Sequence, residues 1–388
     1  MSRLVEHAIT LTKVDSAESE TTYDFVAPPV WPTGGTDVST RHAELAATEH
    51  EIDEEVYRLY GIEGEDRKAI EAELADKTTL AETDEGSDAA PTDEEESDNE
   101  AALSREALAR RWLSYALGVA LGRFQPGVEG AIGCGRFAPE LAAQLRALAD
   151  EDGLGLVEPG HPDDLGARVE RALELMVGEG EAHQLISAAT GGKTLGAYLT
   201  SDFYKEHVRQ YRKRPVYWLL QSPKRSFSLL LFHERLTGDS LPLILGNRYL
   251  QGRVNALHGR LGELQGQVSA AAPGRARKAA ERERDELAAL LTDAEQLARL
   301  VREVIERPNE RGEVVGWRPE IDDGVLINMA PLHTLIPAWA AEPKKCWQAL
   351  ERGDYDWSHT AMRYWPDRVL AKCQTNKSYA IAHGVASE

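Results

Sequence analysis

Between Lys205 and Arg225 the chain carries seven basic side chains (Lys205, Arg209, Arg212, Lys213, Arg214, Lys224 and Arg225) against one acid, Glu206, although its formal net charge is −21. Aromatic rings are interleaved with them: Phe203, Tyr204, Tyr211, Tyr217, Trp218 and Phe227. Cations to meet phosphates and flat rings to stack on bases are the mixture that nucleic-acid contact requires. The same stretch also reads as a solvated helix face followed by a buried strand, with the rings as core. Pro215 ends a helix, so Val216 onward is extended, and Tyr217 and Trp218 project to opposite faces. On the nucleic-acid reading Tyr217 faces the duplex and Trp218 the core.

Other strings carry chemistry less well. Ala189-Thr190-Gly191-Gly192-Lys193-Thr194-Leu195 has the end of a phosphate-binding loop, but Ser187 stands where the first glycine of that cradle is needed. Gly127 to Phe137 is glycine-rich, yet no strand precedes it, and it reads as a loop between helices. Asp354, Asp356 and His359 are close enough in sequence for a metal or hydrolytic site. Packing of Trp357, Tyr364 and Trp365, with the acids capping a helix that begins near Asp356, accounts for them better. Asp323 with Glu342-Pro343-Lys344 loosely mimics a nuclease pattern but lacks strand context. Arg363, Arg368 and Lys372 recur at helical spacing and could extend a DNA footprint. No catalytic, cofactor or metal residue is assigned.

The charge distribution supports the basic run. Residues 1–200 hold 16 Lys/Arg and 41 Asp/Glu, a net of −25, whereas residues 201–388 hold 28 and 24, a net of +4. A polyanion would therefore meet the second half, whatever the overall acidity. Cys134, Cys346 and Cys373 form no CxxC pair, so a zinc ribbon and a disulfide framework are both disfavoured; buried free thiols fit a cytoplasmic location. No membrane span or secretory signal is read from the sequence.

These residues must be positioned by elements that the apolar periodicity outlines. The fold expected is α/β and mostly helical: a recognition module with a small sheet, a long antiparallel helical hairpin and an aromatic-rich C-terminal module. The boundaries are 1–80 (an α/β segment), 81–104 (acidic disordered linker), 105–245 (recognition-like domain), 246–310 (hairpin) and 311–388. Residues 1–34 read as one or two short strands and a loop. A helical stripe of Leu45, Ile52, Val56, Leu59 and Tyr60 follows, stopped by Gly61. Ten acids and no base between Glu82 and Glu100 cannot offset their ordering entropy. Helix resumes at Arg105 with Trp112, Tyr115, Leu117 and Leu121 inward. Ser226 to His233 reads as a buried strand. The hairpin arms place Leu250, Val254, Leu257, Leu261, Leu264 and Val268 opposite Leu287, Leu290, Leu291, Leu297, Leu300, Val301 and Val304. Four of the eight tryptophans fall between Trp339 and Trp365.

Three extended phrases, in order and spacing, resemble the C-terminal portion of the large adenine-specific DNA methyltransferases of phage-defence systems of the BREX and DISARM type and, more distantly, of fused restriction-modification enzymes. They are SDFYKEHVRQYRKRPVYWLLQSPKRSF, EIDDGVLINMAPL and GDYDWSHTAMRYWPDRVLAKCQTNKSYAIAHG, and RRWLSYALGVALGRF is similar to the run leading into that family's recognition region. The resemblance implies double-stranded DNA as partner and target recognition as the role. It also implies S-adenosylmethionine as the cofactor of a catalytic half, either a missing segment or a separate partner. The motifs that such catalysis needs, a glycine-containing cofactor loop and an Asn-Pro-Pro-aromatic turn, are not in this sequence. Ala27-Pro28-Pro29-Val30 lacks both the amide and the aromatic. The alternative is a non-enzymatic assembly subunit that binds other defence proteins through the hairpin.

Overall fold

A strand covered on both faces needs apolar residues in succession rather than in alternation. Tyr217-Trp218-Leu219-Leu220 and Leu229-Leu230-Leu231-Phe232 supply that pattern. A computed structural model of the chain describes residues 1–83, 103–132, 142–149, 151–270 and 273–385. Cys134 and the acidic tract from Asp84 to Glu100, expected as a linker, lie outside these residues. Helices dominate the described residues, with one small antiparallel sheet, as expected for a mostly helical α/β chain. The chain divides into two units, Met1–Tyr115 with Gly127–Gly130, and Ala116–Pro126 with Ala131–Glu388.

In the first unit, α1 (Ser2–Glu18) pairs with α2 (Gly34–Tyr60). This corrects the strand expected near the N-terminus. Leu4, Ala8, Leu11 and Asp15 recur at helical spacing and are half-buried, while the β-branched Val5, Ile9 and Val14 that suggested a strand are exposed. Packing of one helical stripe overrides their weak strand preference. Arg41 of α2 locks the pair, donating to Asp15 at 2.6 Å and also binding Glu18. On α2 the inward stripe is Leu45, Thr48, Ile52 and Val56; Leu59 and Tyr60 face outward, contrary to expectation. Gly61 ends the helix at φ 64°, a left-handed cap that favours glycine, and α3 (Gly64–Thr83) follows. α4 (Arg105–Ala120) begins in this unit and ends in the second. Tyr115 and Leu117 are buried and Trp112 is half-buried.

The second unit is organised on the sheet β1 (Leu154–Leu156), β2 (Tyr217–Gln221) and β3 (Ser228–Phe232), with β3 central and both pairings antiparallel. Strand β1 was not visible in the sequence. Register pairs Trp218 with Leu231 and Leu220 with Leu229, so these side chains share one face with Leu154 and Leu156. That face packs on Ile244 of α10 (Ser240–Leu245), Leu250 of α11 (Leu250–Ala270) and Leu297, Val301 and Val304 of α12 (Arg275–Ile305). Each fully buried leucine contributes roughly 1.5–3 kcal/mol. On the opposite face Gly155 leaves room for α6 (Leu165–Val177): a Cβ there would stand 2.5 Å from Leu165 Cδ2. Around it lie α5 (Ala143–Leu148), α7 (Glu179–Thr190), α8 (Leu195–Leu199) and α9 (Asp202–Gln210).

Helices α11 and α12 form the expected antiparallel hairpin, with His258 beside Glu295 at 3.2 Å and Arg260 beside Glu283 at 2.8 Å. Leu257, Leu291 and Ala294 are buried between them. The end of α12 belongs to the sheet core, so the base of the hairpin is rooted in the sheet of the second unit. The terminal helices α13 (Val325–Met329), α14 (Ala341–Arg352), α15 (His359–Tyr364), α16 (Pro366–Thr375) and α17 (Lys377–Ala382) enclose Ile327, Leu350, Ala361, Val369 and the free thiols Cys346 and Cys373. Burial pushes the Cys346 thiol up to about 11, the state of an inert core cysteine. Among the described residues no helix is long and apolar enough to cross a membrane.

Candidate nucleic-acid interface

Helix α9 carries Phe203, Tyr204 and His207 on its buried side and Lys205 and Arg209 on its exposed side. His207 is 1% exposed, and its ring lies 4.8 Å from that of Tyr217 and 4.6 Å from that of Tyr211. Its Nε2 accepts hydrogen bonds from the amides of Val216 and Tyr217, both at 3.0 Å. A ring nitrogen that accepts carries no proton, so the imidazole is neutral with its hydrogen on Nδ1. Burial drives its pKa well below the ordinary value, and the Arg123 guanidinium and His233 act in the same direction.

That neutral ring holds the start of β2 against α9, and the chain between them must reverse tightly. The Lys213 amide returns to the Val208 carbonyl at 2.8 Å and the Arg214 amide to the Tyr211 carbonyl at 2.8 Å. Closing this reversal puts Arg212 at φ 47° and Lys213 at φ 61°. Left-handed backbone costs a non-glycine residue roughly 1–2 kcal/mol. Arg212, Lys213 and Arg214 are all exposed.

A second turn, Ser222 to Phe227, joins β2 to β3. The Arg225 amide donates to the Ser222 carbonyl at 2.8 Å and Arg225 sits at φ 60°, a turn followed by a left-handed residue. Lys224 and Arg225 point into solvent. Their backbone is held from a distance. Asp293 of α12, 1% exposed, accepts from the Lys224 amide at 2.8 Å and from Ser226 Oγ at 2.6 Å. Burial acts to raise the Asp293 pKa, but hydrogen bonds from Ser222, Ser226 and the turn amides outweigh it and hold the carboxyl below its usual range.

Among the described residues, Arg212, Lys213 and Arg225 are the non-glycine residues at positive φ, and all three are exposed cations of the basic run. Lys205, Arg209, Lys213, Arg214, Lys224 and Arg225 have no carboxylate partner among the described residues. The two cationic turns stand at opposite ends of the five-residue strand β2, which at ~3.3 Å per residue is roughly 15 Å long.

The remaining candidates are placed differently. Tyr217 is 0% exposed beneath α9, so it cannot stack on a base as expected; helices cover both faces of the sheet, and Trp218 is core as expected. Arg363 and Arg368 lie on α15 and α16, separated by Trp365, not along one helix. Arg363 binds Glu320 and donates to the Arg318 carbonyl at 2.8 Å. Arg368 and Lys372 both converge on Asp356, at 2.6 and 2.7 Å, and Asp356 is fully buried. These three cations bind the terminal module together rather than projecting as a charged face.

The acids near α15 are likewise structural. The cap of α15 is Ser358, assisted by Asp323, which accepts from the amides of His359 and Thr360 at 2.7 Å; Asp356 does not cap it. Among the described residues no three His, Cys, Asp or Glu side chains gather as a metal requires. In the glycine-lysine loop, Gly191 caps α7, Thr194 caps α8 and Lys193 pairs with Asp202, which makes it a helix connector.

His207 and Asp293 were missed by sequence reasoning. A signal existed for both: each is a polar residue set in an apolar stripe, between Phe203, Tyr204 and Tyr211 in one case and Leu290, Leu291 and Leu297 in the other.

No family model matches the chain. Among curated proteins, it is 24% identical over 249 residues to the adenine-specific methyltransferase BrxX of Escherichia coli O9:H4 (strain HS), covering 58% of this chain. The match spans 20% of that relative's length. Across that part of the relative, the chain carrying these two cationic turns is similar, at family level, to a BREX-type adenine-specific methyltransferase.

Proposed function

We propose that this chain is the DNA-contacting, target-recognition part of an adenine-specific methyltransferase system of phage defence. The observation that carries the reading is the coincidence of strain and charge: every non-glycine residue at positive φ among the described residues is an exposed cation of the basic run. Backbone strain persists where the surroundings impose it, and functional contact sites are where it concentrates. Lys205, Arg209, Arg212, Lys213 and Arg214 meet phosphates. Lys224 and Arg225, some 15 Å away, reach the second strand or a base edge, where a bidentate arginine on guanine gives about 1–3 kcal/mol of discrimination.

Among the described residues, the proline pair does not fit the Asn-Pro-Pro-aromatic turn that such methyl transfer needs. Pro28 and Pro29 are packed into the first unit, the Pro29 carbonyl accepts from Trp112 Nε1 at 2.8 Å, and Ala27 and Val30 stand where the motif needs an amide side chain and an aromatic. On this reading methyl transfer belongs to a catalytic half, and this chain supplies duplex binding and docking.

The test is binding to a labelled duplex across a salt series. Steep salt dependence is expected, and Lys213→Glu with Arg214→Glu lowers the log–log slope by about 2, near 0.9 per phosphate contact. Unchanged affinity and slope in that variant overturn the reading. Absence of binding by the wild-type chain favours instead an assembly subunit docking through α11 and α12.

A further inference from the structure

We infer that Asp293 is a positioning residue for recognition, through which the helical hairpin sets the pose of Lys224 and Arg225. The inference rests on the nucleic-acid reading of the basic turns and adds to it a determinant that touches no DNA.

A turn of this kind closes with local bonds alone. Here the local set is complete: the Arg225 amide donates to the Ser222 carbonyl, the Ser222 amide to the Phe227 carbonyl at 3.0 Å and the Phe227 amide to Ser222 Oγ at 3.0 Å. Asp293 adds a long-range clamp from a helix 69 residues away in sequence. Both its oxygens are used, Oδ1 by the Lys224 amide and Oδ2 by the amide and hydroxyl of Ser226. A carboxylate at 1% exposure is costly unless its lone pairs are satisfied, and here the backbone of the turn satisfies them. The geometry also keeps the acid off the cations. Asp293 binds main chain and Ser226, not the Lys224 ammonium or the Arg225 guanidinium, so the two side chains that the turn presents keep their charge for a polyanion.

The consequence is mechanical. Residues flanking Asp293 on α12 pack both ways: Leu291 and Ala294 against α11, Leu297 and Val301 against the sheet. The turn's position is thereby referred to the hairpin as well as to its own strands.

The test is a double-mutant cycle on binding of a random-sequence labelled duplex by the full chain. Lys224→Ala with Arg225→Ala weakens binding, and Asp293→Ala is expected to weaken it by a similar factor, roughly tenfold. The losses do not add when all three are combined, because the clamp acts only through those two side chains. Asp293→Asn, which keeps the acceptor for the Lys224 amide, restores most of the affinity. Ser226→Ala, which removes one donor on the turn side, reproduces part of the loss if Asp293→Ala fails to fold. Fully additive losses, or wild-type binding by Asp293→Ala and Ser226→Ala, overturn the inference. If Lys213→Glu with Arg214→Glu leaves duplex binding untouched, the interface reading itself fails; if that variant weakens binding and Asp293→Ala does not, only the positioning role fails.

Discussion

The imidazole of His207 accepts the Tyr217 amide at 3.0 Å while its ring stacks on the Tyr217 side chain at 4.8 Å, so one buried histidine holds both the main chain and the side chain at the start of β2. The strained cations Arg212 and Lys213 lie in the reversal that leads from α9 into that strand.

This arrangement makes stability sensitive to mild acid. His207 is neutral in the fold, its pKa driven down by burial, whereas an unfolded histidine protonates near 6.5. Below about pH 6.5 the unfolded state binds more protons, so stability falls as pH drops, by up to about 1.4 kcal/mol per pH unit. His207→Leu is expected to melt lower than wild type at about pH 7.5, since two amides lose their acceptor, and to show a shallower decline toward about pH 5.5. Thermal melts of both proteins across that range check it; equal slopes would refute the role.

Strain at Lys213 predicts a trade between stability and binding. Glycine adopts φ 61° without the Cβ penalty but loses more entropy on folding, so Lys213→Gly is expected to be neutral to about 1 kcal/mol more stable. Its duplex affinity should fall, with the salt slope reduced by about 1. A denaturant titration and a salt series on the same preparation decide. Marked destabilisation would show that the Lys213 side chain serves the fold.

In the terminal module the buried Asp356 carboxylate is satisfied by the partly exposed Arg368 and Lys372. Removing the acid takes away these charge-assisted bonds, so Asp356→Ala should cost about 1.5–3 kcal/mol. Arg368→Met, by contrast, should leave the duplex salt slope unchanged, because the guanidinium is committed to Asp356 and to the Leu350 carbonyl at 2.7 Å. A reduced slope for Arg368→Met would return that residue to the interface.

The two ends of α12 should respond unequally to truncation. Leu297 is fully buried in the sheet core, and Leu297→Ala is expected to cost about 2–5 kcal/mol. Leu287, half-buried on the distal hairpin, should cost much less when changed to Ala. Equilibrium unfolding of the two variants compares them directly.

How much of this was legible depends on the range of the interaction. The stop at Gly61, the hairpin arms and the buried strand at Leu229–Phe232 follow from local pattern, and the exposure of Lys205, Arg209 and Lys213 follows from charge. The helix at the N-terminus was misread because Val5, Ile9 and Val14 look like strand residues until α2 covers the other stripe of α1. Tyr217 was placed on the duplex because a two-stranded reading leaves one face open. The helices around Gly155 close that face, and strand β1, too short to announce itself, extends the sheet beyond β3.

The sequence by itself determined the helical character, the positions of the main breaks and the concentration of positive charge between Lys205 and Arg225, since each depends on residues near in the chain. Only the tertiary structure decided which cations remain available and which are absorbed. Arg363, Arg368 and Lys372 look as basic as Lys224 and Arg225, but the first three meet Glu320 and Asp356 across the terminal module, whereas Asp293 binds the Lys224 amide and Ser226 rather than the two basic side chains. Partners brought together over long stretches of chain have no local signature, because packing of α12 on the sheet and of α14 to α16 on one another, not spacing along the sequence, puts those groups within hydrogen-bonding distance.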